Sequence, residues 1–552
     1  MPVYRALLVL AACAAAAWSC LALAGPKTVC TITVNSPDEK DAFKRSLPPD
    51  DYRFVELVER GRPDWLASAC RQGVRCDALV ISGHFDGGTE FYTDRLDARE
   101  FLPVSEMERA SCSESCPGVF AQLKEVYLFG CNTLNAEAMR SAGAEIVRSL
   151  VRSGYSAPDA ERLVRGLTER HGESNRDRMR HIFKDVPVLY GFSSKAPLGR
   201  SARPLLERYF QAAPAGEVAS GRVSGKLLGL FAPSSMTVAS GLADSDPDSA
   251  YRRDVCHFSD DRLQDAQKLA FVHEVLRRDM AEVRMFLDHV ERYAGSLNAA
   301  QRQAPAAAAV LAEIADDRAA RAQYLEFARD ADEPAVRARM MDLARSLGWL
   351  SPAEERSEFM RMIAEHMQRG AVGSDEVDLV CARNSDRALE LGLLPVAARA
   401  PQAGRIANAA VLACLGSADG HARVLRALTS PNDDEVAIAQ VYLHHRPIAS
   451  VDELRAAATG IAQMTVNDAQ VRALDTLAHQ RLSDPESLVE LASLYPHART
   501  VRVQRAIAGI LLRADYPVLA RADLVRSLRQ HRLKSSDGAD VIDVLIRRLQ
   551  TD

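Results

Sequence analysis

Short apolar runs alternate with amphipathic stretches over the first half of the chain. The runs are rich in β-branched residues and end at turn residues, which is typical of strands; they lie at 28–34, 52–58, 76–82, 126–130 and 186–191, with a possible last one at 227–232. The amphipathic stretches predict helices at 36–47, 62–71 and 135–152. The first helix carries a capping-box sequence, Ser36-Pro37-Asp38-Glu39. Strands alternating with helices predict an α/β domain with a mainly parallel sheet.

From about position 257 the pattern is helical throughout, with leucine, alanine, valine and arginine recurring every three to four residues. Capping boxes at Ser351-Pro352-Ala353-Glu354 and at Ser450-Val-Asp-Glu453 mark two helix starts. Candidate first helices begin near 404, 433, 466 and 498, about 30 residues apart. That spacing suits the helix pairs of a HEAT-like solenoid, and an irregular helical array is the alternative.

These patterns predict a multidomain protein with an α/β domain followed by an all-α domain. The boundaries are placed where the composition changes to Gly, Ser, Ala and Asp near 245. The predicted parts are a signal peptide at 1–24, the α/β domain at 25–245, a linker at 246–256 and the helical domain at 257–552.

Composition and charge narrow the class of protein. The chain has 552 residues, of which 47% are hydrophobic and 26% charged, the balance of a soluble globular protein. Its 30 glycines and 25 prolines are too few for a collagen or a low-complexity chain. A formal net charge of −5 gives no electrostatic indication of nucleic-acid binding.

The first 24 residues read as a secretory signal. Arg5 precedes an apolar stretch at 6–21, and Ala22-Leu23-Ala24 is a small-x-small cleavage site. We therefore expect an exported protein, periplasmic or extracellular, anchored in the membrane if the segment is not cleaved. No later segment of the sequence is long and apolar enough to predict a membrane span.

Nine of the 11 cysteines follow the signal segment. Eight of them suit disulfides in an oxidising compartment. We expect local bridges Cys70–Cys76 and Cys112–Cys116, while the partners of the others stay open; the alternative is that several are buried thiols. The ninth, Cys131, is the odd one and is expected to be a free thiol.

Two of the predicted strands end in a glycine followed at once by a reactive side chain. The sequences are Leu79-Val-Ile-Ser-Gly-His84 and Val126-Tyr-Leu-Phe-Gly-Cys131. The carboxyl ends of parallel strands form the ligand edge of such a sheet, so His84 and Cys131 are expected side by side. A histidine beside a cysteine is the minimum for a thiol nucleophile, and the start of the helix after Cys131 would favour the thiolate. Backbone groups near the site would bind an oxyanion or the substrate; the predicted loop residues are Gly83, Phe85, Gly87, Gly88 and Gly130.

The order strand–Gly–His and then strand–Gly–Cys resembles the caspase-like cysteine peptidases, a superfamily that includes caspases, legumains, gingipains, separases and bacterial CHAT proteins. The resemblance covers roughly residues 28–240. It implies that His84 is the catalytic histidine after the third strand and that Cys131 is the nucleophile after the fourth. It also implies that the loop after the next strand shapes the pocket for the P1 side chain; these residues are Gly191, Phe192 and Ser193. The family usually has His-Gly where this chain has His84-Phe85, and that glycine assists the oxyanion hole.

Two functions fit the sequence. The first is an exported caspase-like cysteine endopeptidase with a Cys131–His84 dyad, a peptide or protein substrate, and a helical domain that docks a protein partner or the substrate. The second is a non-catalytic exported binding or scaffold protein with a degenerate caspase-like fold, since a lone histidine or cysteine after a strand is more often structural. Neither needs a cofactor or a metal, and no metal-binding spacing occurs: His273-Glu274 lacks the second histidine of the zinc motif.

Overall fold

The computed structural model describes residues 25–57, 66–85, 88–93, 100–113, 116–139, 143–152, 154–171, 173–212, 216–384, 389, 405–465, 468–480, 482, 484–514, 521–534 and 541–551. The predicted signal segment at 1–24 lies outside these residues. The chain divides into two compact units, Met1–Phe327 and Ala328–Asp552. In the described part, no helix has both the length and the apolar character that a bilayer span requires.

The first unit is built on a β-sheet and a separate hairpin. The strands are β1 Lys27–Thr33, β2 Tyr52–Glu56, β3 Ala78–Ser82, β4 Glu90–Tyr92, β5 Phe101–Pro103, β6 Glu125–Phe129, β7 Val188–Phe192 and β8 Met236–Ala239. Six of them form the sheet, with the order β2-β1-β3-β6-β7-β8. All neighbouring strands pair parallel except β8, which is antiparallel to β7. β4 and β5 form the antiparallel hairpin.

Helices lie on both faces of this sheet. Their bounds are α1 Asp38–Ser46, α2 Ala67–Arg71, α3 Val104–Cys112, α4 Pro117–Ala121, α5 Ala144–Arg152, α6 Ala157–His171, α7 Asn175–Ile182, α8 Gly199–Ala212 and α9 Gly225–Phe231. Along each strand alternate residues enter two separate cores, so that Leu79 and Ile81 pack with α3 and α7, while Ala78 and Val80 pack with α1, α8 and α9. Both faces of β3 and β6 are therefore buried, as the apolar runs of the sequence predict.

The unit continues into helices α10 Ser249–Ser259, α11 Asp265–Leu276, α12 Met280–Ser296, α13 Ala299–Gln303 and α14 Pro305–Asp316, and its boundary at Phe327 falls within the next helix, α15 Arg318–Arg329. The predicted linker at 246–256 thus contains most of α10, and the first unit ends at Phe327, well beyond it. A disulfide between Cys112 and Cys256 fixes α10 to α3. The change in composition near 245 marks a loop within the first unit.

The second unit consists of helices throughout its described residues. They are α16 Pro334–Ser346, α17 Pro352–Arg369, α18 Ser374–Arg383, α19 Ile406–Cys414, α20 Ala418–Ala427, α21 Asp433–His445, α22 Val451–Gln463, α23 Asp468–Ala478, α24 Pro485–Leu494, α25 Val501–Arg513, α26 Arg521–Gln530 and α27 Val541–Thr551. The helices α19, α21, α23, α25 and α27 contact one another in succession, and α20, α22 and α24 form a second such series. The starts predicted near 404, 433, 466 and 498 are confirmed to within three residues.

Two predicted elements are wrong. Residues 227–232 do not form a strand: Gly225–Phe231 is a helix that Ser224 caps by accepting from the Leu227 N–H, with Leu227 and Phe231 buried one turn apart. The helix predicted at 135–152 begins only at Ala144. At 227–232 the short apolar run was compatible with a strand and with a helix, and packing against the sheet decided between them. The described residues 135–139 precede the other helix without helical structure.

Candidate active site

The ends of β3 and β6 bring His84 and Cys131 to one edge of the sheet. Ser82 and Phe129 are paired in the parallel register, and the Gly83 N–H donates to the Phe129 carbonyl at 3.1 Å. His84 and Cys131 follow two residues later on each side, and both line one pocket with a volume of about 140 Å³. The two residues that the sequence singled out thus share a cleft at the carboxyl edge of the strands.

A small hairpin holds His84 in place. The His84 N–H donates to the Tyr92 carbonyl and the Tyr92 N–H donates to the His84 carbonyl, both at 2.9 Å. The imidazole ring lies beside the Tyr92 ring, with centroids 5.4 Å apart. Tyr92 belongs to β4, which pairs with β5. The backbone of the proposed base is therefore fixed from both sides, by the sheet at Gly83 and by the hairpin at His84.

The side chain of Phe85 points into the core and is fully buried. Its ring packs on Phe91 with centroids 4.6 Å apart, and it is not among the residues that line the pocket. Gly130 makes room for it, because a Cβ at position 130 would lie 2.8 Å from the Phe85 Cβ and 3.0 Å from the Gly83 carbonyl oxygen. The departure from the His-Gly pattern of the caspase-like family therefore leaves the cleft open.

The loop that follows Phe85 is anchored at Gly88, while Asp86 and Gly87 lie outside the described residues. Gly88 has φ +69°, a left-handed conformation that favours glycine. Its carbonyl accepts a hydrogen bond of 2.7 Å from Nη1 of Arg178 on α7. The loop predicted to bind substrate is thereby fixed to a helix beneath the sheet edge.

Arg178 is the centre of a buried ion cluster. Its Nε and Nη2 each donate to Glu173 at 3.2 Å, and Glu108 lies 3.9 Å away. Burial works against the charge, but the carboxylates of Glu173 and Glu108 raise the pKa of Arg178 above its ordinary value. The guanidinium that holds Gly88 is thus fully charged and is itself held on α7.

Cys131 lies in a tight turn and not at the start of a helix. The next residue, Asn132, has φ +59°, a conformation that asparagine tolerates better than most residues. Its N–H donates to the Ser194 carbonyl at 2.6 Å, which joins the turn to the loop after β7. The predicted support of the thiolate by a helix N-terminus is therefore wrong. Instead, the Ala196 N–H donates to the Cys131 Sγ at 3.3 Å, a contact that stabilises negative charge on the sulfur.

The residues predicted to form the P1 pocket do not line the cleft that contains His84 and Cys131. Phe192 is fully buried, and Gly191 packs so tightly that a Cβ would lie 2.7 Å from Leu134 and Thr133. Ser193 is bonded to Ser235 through its N–H at 3.1 Å. The pocket is lined instead by the segment that follows them; its members are Ala196, Pro197, Leu198 and Gly199.

Five further lining residues come from outside the predicted set, and they are Asn35, Ser36, Glu39, Ser82 and Phe129. Ser82 ends β3, and Glu39 belongs to the first turn of α1. The capping box predicted from Ser36 and Glu39 is not formed, because Ser36 Oγ accepts from the Asp38 N–H while Glu39 lines the pocket with only 3% of its surface exposed. Burial raises the pKa of Glu39 to about 7, and the nearby Asp38 carboxylate contributes to the rise. The sequence feature that could have predicted Glu39 as a pocket residue is its place in the first turn of a helix that directly follows the first parallel strand.

Cys131 differs from the other described cysteines in that it forms no disulfide. Four disulfides are present, Cys30–Cys76, Cys70–Cys116, Cys112–Cys256 and Cys381–Cys414, with Cα separations of 4.6 to 5.6 Å. The expected local bridges Cys70–Cys76 and Cys112–Cys116 are therefore wrong, although all four of these residues are bridged. Within the described part of the chain, Cys131 is the free cysteine, as predicted.

Comparisons with protein-family models, with curated proteins and with solved structures find no match for this chain.

Proposed function

We propose that the chain is an exported cysteine peptidase of the caspase-like type, with Cys131 as nucleophile and His84 as its base. The observation that carries the proposal is the setting of Cys131. Cys131 is a half-buried free thiol, whereas the other described cysteines form four disulfides. Its sulfur accepts a hydrogen bond from the Ala196 N–H, and it shares a pocket with His84. A structural cysteine in a disulfide-forming compartment needs none of these features, whereas a thiolate nucleophile needs all of them.

The chemistry that follows is acyl transfer. The Cys131 thiolate attacks the carbonyl carbon of a peptide bond, and His84 gives its proton to the leaving amine nitrogen. His84 then takes a proton from water, whose oxygen displaces the sulfur and releases a carboxylic acid. The Gly83 N–H already donates to the Phe129 carbonyl, so it does not serve as a donor to the substrate. We therefore propose that the backbone N–H groups of Phe85 and of the Gly130–Cys131 turn donate hydrogen bonds to the oxyanion.

Export and partner binding complete the proposal. The four disulfides support an oxidising compartment, in line with the signal-like residues 1–24. We propose that the helical unit is a HEAT-like docking module for a protein partner or substrate. Two series of helices in successive contact support a repeat architecture, and such arrays bind proteins.

The alternative, a non-catalytic binding protein, was suggested by Phe85 in place of glycine. The buried position of its side chain supports the peptidase, because Phe85 does not block the cleft. A peptidyl acyloxymethyl ketone, which alkylates activated thiols, separates the two functions. We expect the folded chain to gain one probe, mapped to Cys131, and the Cys131→Ala chain to gain none. A folded chain that iodoacetamide alkylates at Cys131 but that no peptidyl probe labels would contradict the peptidase and favour the binding protein.

A further inference from the structure

The pocket beside Cys131 contains two buried polar atoms that have no hydrogen-bond partner. They are Oε2 of Glu39 and Oγ of Ser82, and the two residues are 3% and 2% exposed. Buried polar groups in folded proteins are almost always paired, and an unpaired one costs its full desolvation penalty. Two such atoms in the lining of one pocket therefore indicate a site built for a ligand that carries hydrogen-bond donors.

The charges around the pocket specify the kind of donor. The structure describes every lining residue, and none of them is a lysine or arginine. The charged group that acts on Glu39 is Asp38 on the same helix, and Asp38 is itself paired with Arg203 of α8, whose Nη1 lies 3.8 Å from it. The other titratable groups of the lining are His84 and Cys131. Arg203 is thus engaged by Asp38 and by Glu207, at 3.0 Å, and Glu39 is left as a buried acid without a cation.

We propose that this pocket takes a lysine or arginine side chain of the substrate, and that Glu39 is the residue that selects it. The inference rests on the proposed function, because it places the selected side chain next to the bond that Cys131 attacks. The cation supplies the partner that the Glu39 carboxylate lacks, and its N–H groups reach the Ser82 hydroxyl as well. A neutral side chain of the same shape leaves both atoms unpaired, and an acidic one adds a second buried negative charge.

Proton release accompanies this binding. Because burial raises the pKa of Glu39 to about 7, the empty pocket holds a neutral carboxyl group below that pH. A cation entering there drives the Glu39 proton into solvent. Selectivity for a cation is therefore expected to be greater at pH 8 than at pH 5.5.

The test measures binding in the full-length Cys131→Ala chain, so that it does not depend on catalysis. The probes are n-butylguanidinium, n-butylammonium and n-butylurea, the last being a neutral compound of the same shape as the first. By NMR titration at pH 8 we expect at least one of the cations to bind tenfold or more tightly than the urea, and at pH 5.5 we expect the ratio to fall towards one. Adding Glu39→Gln is expected to bring the ratio to one at both pH values.

Glu90→Gln is the matched control, because Glu90 is an acid of the neighbouring hairpin strand β4 and does not line the pocket. It is expected to leave the ratio unchanged. Equal binding of the cations and the urea at pH 8, or a ratio that survives Glu39→Gln or is lost in Glu90→Gln, would overturn the inference. Labelling of Cys131 by peptidyl probes is measured separately. If the chain binds the cations but Cys131 is never labelled, the peptidase proposal is contradicted and the cation site is supported. If Cys131 is labelled but the cations bind no more tightly than the urea, the cation site is contradicted and the peptidase is supported.

Discussion

Glu39 has one role in the sequence-based prediction, as a helix-capping residue, and another in the structure, as a residue of the pocket. In the sequence it completes a capping box with Ser36, and the short-range pattern gives no reason to look further. In the structure the first turn of α1 faces the carboxyl edge of the sheet, so the same carboxyl group enters a pocket. Whether a helix-start glutamate points back to the chain or into a cleft depends on packing between distant segments, which one sequence does not encode locally.

The buried carboxyl group of Glu39 has a consequence for stability. Its pKa rises from 4.5 in the unfolded chain to about 7 in the folded one, so folding holds a proton that the unfolded chain has lost between these values. Stability therefore falls as pH rises from 4.5 to 7, and the full cost of about 3 kcal/mol is present above pH 7. We expect Glu39→Gln to raise the free energy of unfolding by up to that amount at pH 8 and to change it little at pH 4.5. Urea unfolding at the two pH values checks this; an equal effect at both would contradict it.

Replacing Gly130 by a residue with a Cβ is expected to destabilise the first unit for a steric reason. A Cβ there would meet the Phe85 Cβ at 2.8 Å, so Gly130→Ala must push apart the two loops that carry His84 and Cys131. We expect a loss of about 1–3 kcal/mol in unfolding free energy, as for other overpacked sites. Gly229→Ala is the control, since a Cβ at Gly229 meets nothing within 4 Å and lies inside a helix; it is expected to be neutral or stabilising by up to ~1 kcal/mol. Similar losses in both variants would contradict the steric account.

At the scale of elements, the sequence predicts what local pattern determines. The five parallel strands appear within two residues of their predicted starts, because their runs of β-branched and apolar residues are bounded by turn residues. The pattern does not predict the pocket. The segment from Ala196 to Gly199 reaches Cys131 only because the turn at Asn132 is bonded to Ser194, a contact between residues 62 positions apart in the chain.

The cluster around Arg178 joins three elements, and its loss is expected to be costly. Arg178→Met would leave Glu173 buried without its guanidinium and would release the Gly88 carbonyl. Removing one member of a buried ion pair typically costs about 3–5 kcal/mol. Arg162→Met is the matched control, because Arg162 forms an exposed pair with Asp159 on α6, and exposed pairs contribute little to stability. Chemical denaturation compares the two; an equal, small effect would show that the cluster does not stabilise the first unit.

At the scale of the whole molecule, disulfides join segments of one unit that are far apart in the sequence. A change in composition near 245 suggested a linker, yet the Cys112–Cys256 bridge ties α10 into the first unit over 144 residues of sequence. Pairings of this kind follow from tertiary proximity: Cys30 lies in β1 and Cys76 immediately before the neighbouring β3. Sequence separation alone favoured Cys70–Cys76, and the order of the strands overrides it.

Removing this long-range bridge is expected to destabilise the first unit. Cys112→Ser combined with Cys256→Ser frees a loop of 144 residues, and the loss of a native disulfide typically costs about 2–5 kcal/mol. Thermal unfolding checks the cost, and peptide mapping under non-reducing conditions confirms that the other three pairs are kept. Recovery of Cys112 joined to Cys116 in the unmodified chain would contradict the arrangement described for this unit.

The proposed peptidase requires that His84 activates Cys131. The most direct measurement is the second-order rate constant for alkylation of Cys131 by a peptidyl acyloxymethyl ketone in the unmodified chain, in His84→Ala and in His257→Ala. His257 is an exposed histidine of α10 and serves as control. A positioned base contributes about 10²–10⁴-fold to the rate, so we expect a fall of at least ~100-fold in His84→Ala and no change in His257→Ala. Alkylation of Cys131 at one rate in all three folded chains would contradict the activation of Cys131 by His84.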